Sequence, residues 1–365
     1  MKKLLSLLFA FLLFIILSPL CFAAETPEEY YITVWDSLDG ETKRLMDSFG
    51  IDGDAQSLSD ISPERAARAV FSLFSDCIGE AFGGFFAVLA VMLAVSLLGA
   101  YEIKTEGLKN AAECIGGACV MFSVLAVTGK ITETAAAAVK LTEDFMLGVI
   151  PVFAGVVAMS GSPALALSFN SAVLAFAETI SGVFSSSMPV YTSVMTSVAA
   201  AGVINPYFSC EKLTSLFNKA ACGAAAFVSG IFVAVLSVRG VIAGAADTVT
   251  VKGLRFLINS SVPVVGSAIG DALNSVTASL VLIRHSIAAL ALTAAVLIVL
   301  PALVRITVYK LLLSLTSVFA DVLSLKKISG FIDAVNGVFS FYAAVLCFNA
   351  FVFIISIAIV ITLGK

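Results

Sequence analysis

The chain has 365 residues, of which 60% are hydrophobic and 13% charged, with a net charge of −4 and a mean hydropathy of +1.06. Soluble globular domains are about half apolar and a quarter charged, so this composition excludes an ordinary soluble enzyme. The lack of a basic tract excludes a nucleic-acid binder. Apolar runs of about 20 residues, the length that crosses a bilayer, recur throughout. The fold class expected is all-α: a polytopic helical membrane protein whose obvious partner is the lipid bilayer.

Lys2 and Lys3, an apolar run from Leu4 to Leu17 and small residues through Ala24 read as a cleavable signal sequence over residues 1–24. An uncleaved first span is the alternative. Either way the lysines stay inside and Glu25 onward lies outside the cytoplasm. Residues 25–80 hold thirteen of the 25 acids against four bases, and form a small acidic extracytoplasmic helical segment. Thr26-Pro27-Glu28-Glu29 and Ser62-Pro63-Glu64 are helix starts, with proline at the first helical position. Asp52, Asp54 and Asp60 do not make a calcium loop, because Ser57 and Pro63 stand where an EF-hand needs glycine and glutamate.

Residues 81–365 are expected to form the membrane domain, with about eight spans. The first two are 81–101 and 111–128, joined by a charged turn. Residues 130–144 read as an amphipathic helix, Ile131, Ala135, Ala138 and Val139 on one face and Glu133, Lys140 and Asp144 on the other. Beyond Phe145 the runs shorten and carry prolines: Pro151 in 145–160, then 163–184 with Glu178, then Pro189 in 188–208. Broken helices of this kind line substrate paths in transporters, which makes Pro151 and Pro189 conduit candidates. Further spans follow at 220–238, at 287–300 ending on Pro301, at 304–323 and at 335–363. The bases divide about evenly between the two sides, so they do not orient this half.

Residues 240–272 stand apart from the apolar runs on both sides. They carry Asp247, Lys252, Arg255, Asn259 and Asp271, the helix breaker Pro263, and two glycine pairs, Gly240/Gly244 and Gly266/Gly270. Glycines four apart let two helix backbones approach closely. Polar, irregular backbone at membrane depth survives only inside protein or beside enclosed water, so a re-entrant segment is expected here. A charge at mid-bilayer costs about 2.5–3.5 kcal/mol even on the lenient insertion scale. Asp247 or Asp271 is therefore expected to pair with Arg255 or Arg305, unless these groups sit at a headgroup boundary, as expected for Glu178 and Arg305.

Catalytic chemistry finds no support. The one histidine, His285, sits beside Arg284 at a span edge, and no nucleotide-binding or nucleophile-elbow motif occurs. The seven cysteines, 21, 77, 114, 119, 210, 222 and 347, form no CxxC or zinc spacing and read as small hydrophobes. No enzyme activity, cofactor or metal is expected.

An ordered series of short motifs resembles the stage III sporulation protein AE family. It comprises Phe145-x5-Pro151-Val152-Phe153-x-Gly155, Ser160-Gly161, Lys212-Leu213-Thr214, Ser237-Val238-x-Gly240 and Asp247-x4-Lys252. It continues with Val262-Pro263-Val264-Val265-Gly266, Asp271-Ala272 and Pro301-Ala302. The resemblance implies a multi-pass protein of the mother-cell membrane around the forespore. It implies membership of a channel or secretion-like complex, with a cytoplasmic ATPase and small membrane proteins as partners. A self-sufficient solute permease is the alternative reading, and an oligomer is compatible with either.

Overall fold

A computed structural model describes residues 28–51, 63–100, 106–204, 211–261 and 266–363. The expected signal sequence, Asp52, Asp54, Asp60 and Pro263 lie outside them. Among the described residues there is no strand. Two short helices come first, α1 (Glu28–Asp36) and α2 (Gly40–Phe49). Asp39 caps α2 by accepting from the Glu41 and Thr42 amides, and Gly50, at φ 83°, ends it. Seven helices follow: α3 (Pro63–Ala100), α4 (Glu106–Met159), α5 (Pro163–Phe176), α6 (Gly182–Ile204), α7 (Glu211–Ser261), α8 (Gly266–Val322) and α9 (Lys326–Leu363). A π turn, Ala177–Ser181, joins α5 to α6. Among the described residues six helical paths are long and apolar enough to cross a membrane, as expected of a multi-pass protein.

Six paths rather than about eight arise because neighbouring apolar runs fuse. The segments 111–128, 130–144 and 145–160 are one helix, α4, with Pro151 inside it. Likewise 287–300 and 304–323 are one helix, α8, running through Pro301, and Pro189 lies inside α6. These helices are therefore not broken at proline, as the conduit argument required. A proline in a helix interior costs about 3 kcal/mol. Around Pro151 that cost is offset by burial of Val149, Ile150, Phe153, Val156 and Val157, while the proline itself faces outward.

The amphipathic division of 130–144 holds within α4: Ile131, Ala135, Ala138 and Val139 are buried, and Glu133, Lys140 and Asp144 are exposed. The segment is part of a long bundle helix and not a separate one.

Helix α8 is the axis of the bundle. Every residue from Ser286 to Leu300 is buried, the signature of a helix apolar all round. It packs on α3, α4 and α9. Antiparallel α9 is zipped to it by Ser317 with Ser329, Asn336 donating to Ser314, and Lys310 donating to Ser340 at 2.6 Å. Thr132 of α4 and Thr192 of α6 meet the Tyr342 hydroxyl of α9, polar glue of the kind that joins helices where no hydrophobic drive exists between them. Helix α1 packs on α4 and α8, and α2 on α3 and α8, with Ser37 close against Gly148.

Candidate functional site

At the end of the bundle where α4 turns into α5, four elements converge. Helix α4 stops in a Schellman arrangement: the Gly161 amide donates to Ala158 and the Ser162 amide to Val157. Gly161 has φ +96°, a conformation that glycine adopts without steric cost. Pro163 then opens α5, its missing N–H matching a position that needs none.

The next two amides, of Ala164 and Leu165, point out of the helix start and need acceptors. Ser162, the residue that local rules would name as the cap, makes no side-chain capping bond. Asp247 of α7 supplies both acceptors. Its two carboxylate oxygens take the Ala164 amide at 2.9 Å and the Leu165 amide at 2.8 Å. Asp247 is only 5% exposed. Its negative charge sits on the positive end of the α5 dipole, in short charge-assisted bonds. The buried anion is met by backbone, with no cation within 4 Å among the described residues.

The C-terminal turn of α9 completes the junction. A Cβ at Gly240 would lie 2.9 Å from Ile359 Cγ2, and one at Gly244 would lie 3.3 Å from the Leu363 carbonyl oxygen. The close approach expected of this glycine pair is therefore present, and its partner is α9.

The remaining candidates fall elsewhere. Arg305 pairs with Glu80 of α3 at 3.2 Å, the two side chains being 39% and 50% exposed, so it does not pair with Asp247. Lys252 is exposed on α7, and Arg255 lies three residues on in the same helix. Gly266, Gly270 and Asp271 belong to the first turns of α8. The stretch expected to be irregular and re-entrant is regular helix from Gly240 to Ser261. Between Asp247 and Arg284 none of the described side chains is buried. Internal i→i−4 bonds satisfy the backbone of both helical arms.

Two groups escaped sequence reasoning. Arg284 is 2% exposed where all-round burial of α8 begins, and its place at the head of a long apolar run was the available signal. Glu80 was hidden among the acids of the N-terminal segment, and only packing of α3 on α8 brings it to Arg305.

A curated relative, the stage III sporulation protein AE of Bacillus subtilis (strain 168), is 25% identical over 233 residues, covering 62% of this chain and 57% of the relative. The match thus spans under two thirds of that protein's length. No solved structure matches. The family profile described as stage III sporulation protein AE matches residues 55–364, a span that includes Ser160-Gly161, Asp247 and the α9 terminus, and the chain belongs to that sporulation family.

Proposed function

We propose that this chain is a membrane core subunit of a mother-cell-to-forespore channel or secretion-like complex required during endospore formation. Family membership supports a sporulation role, and six membrane-length helical paths support residence in a membrane, which in this reading is the one that surrounds the forespore. The observation that carries the subunit reading is the packing of α8. Its middle is sealed by side chains on every side, so a passage would run beside or between chains and not along the axis of one. A subunit with a filled core needs partners to make a conduit. In this reading the partners are a cytoplasmic ATPase and small membrane proteins, and the chain itself catalyses nothing.

The test is affinity isolation of the full-length chain from sporulating cells under mild detergent. Co-isolation of a secretion-type ATPase and small membrane proteins supports the reading. Solute uptake by the purified chain alone in liposomes, with no such partners recovered, replaces it with the permease.

A further inference from the structure

The exposed side of α4 carries a charged stripe that runs into the height where the bundle must meet hydrocarbon. The height follows from helix α9, whose residues 335–363 contain no charge. A crossing takes about 20 residues, so any crossing drawn within that run includes 344–354. Thr132 of α4 bonds Tyr342, and Phe145 of α4 meets Phe353 edge-on with centroids 5.9 Å apart. The α4 residues leading up to Phe145, Lys140 and Asp144 among them, therefore lie at that depth, while Lys130 and Glu133, level with Tyr342, sit at its edge.

Its outward residues are Lys130, Glu133, Ala137, Lys140 and Asp144, recurring at alternating steps of three and four, the spacing of a helix–helix seam. Among the described residues no ion pair joins these charges. Glu178, exposed on the π turn, widens the patch, since neighbouring Ser181 bonds Asn349 of α9. The bundle is lopsided: residues 220–238 of α7, on another side, expose only apolar groups and glycine, among them Phe227, Ile231, Val235 and Val238, and the first exposed charge beyond them is Arg239. Glu80 and Arg305 are also half-exposed but are paired within the chain.

Ionisable side chains at this depth face protein or water rather than lipid. We infer that α4 is a self-association surface on which a second copy of this chain packs. Two copies in one membrane share an orientation, so a two-fold axis normal to the bilayer sets their α4 helices parallel. The contact is then isologous. Lys130 of one copy faces Glu133 of the other, and Lys140 faces Asp144. The vertical offsets are about 4.5 and 6 Å at 1.5 Å per residue, within reach of a lysine side chain. Ala137, small and central, lets the backbones come close. The inference needs the membrane placement and not the sporulation complex, so the two can fail separately.

The test uses the full-length chain in native membranes, expressed as two differently tagged copies, with a photo-crosslinking amino acid at Ala137. The expected result is an adduct joining the two tags, and none from the same probe at Ile231 on the apolar α7 face. Lys140→Glu is expected to lower the adduct at least tenfold. The swap Lys140→Glu with Asp144→Lys is expected to restore it, which a misfolded protein would not do. An Ala137 adduct only to lipid or to a different protein overturns the inference. So does an inter-tag adduct indifferent to Lys140→Glu, or one that the swap fails to restore.

Discussion

Replacing Asp247 with alanine removes both acceptors from the start of α5. Hydrogen bonds to a charged group contribute about 1.5–3 kcal/mol each, and a buried donor left unsatisfied costs about 1–3 kcal/mol. The Leu165 amide belongs to a residue 1% exposed, so it pays the full penalty, whereas the half-buried Ala164 amide can recover water. The expected loss is therefore about 2–4 kcal/mol, above the usual range for a surface cap. Asparagine keeps one acceptor but turns its NH₂ toward the second amide, a donor against a donor, and is expected to cost about half as much. Ser162→Ala is the matched control, expected to cost under ~0.5 kcal/mol because Ser162 caps nothing here. The assay is thermal denaturation in detergent followed by fluorescence-detected size exclusion. For a large chain about 2 °C per kcal/mol converts the alanine loss into a fall of about 4–8 °C. Equal damage from Ser162→Ala and Asp247→Ala, or no shift for Asp247→Ala, would refute the capping argument.

Gly240→Leu is expected to force α7 and α9 apart at Ile359 and to cost about 1–3 kcal/mol by overpacking; adding Ile359→Ala should return part of it in the same denaturation assay. Arg305→Glu places two acids together and is expected to lower membrane yield severalfold, since an unpaired charge costs about 2.5–3.5 kcal/mol to insert. The double exchange Arg305→Glu with Glu80→Arg should restore yield, read by immunoblot of membrane fractions. In a cysteine-free background, Val249→Cys on α7 and Val276→Cys on α8 should react rapidly with a charged thiol reagent in permeabilised cells. Ala291→Cys and Ala294→Cys, inside the sealed part of α8, should stay unlabelled for the duration of the reaction.

What sequence determined about this protein was the part that local rules decide. Backbone groups in lipid must be satisfied within a segment, so long apolar runs specify helices, and the two faces of 130–144 were legible from spacing alone. The Gly240/Gly244 step likewise announced a close approach, though not its partner. Tertiary structure decided everything that needed two distant pieces to meet. Asp247 and Ala164 are 83 residues apart, and a carboxylate in an apolar run looks the same whether a cation or a helix start awaits it. The fusion of spans across Pro151 and Pro301 was hidden for the same reason. A proline's local cost can be read from one residue, but the burial that offsets it belongs to the neighbouring helices.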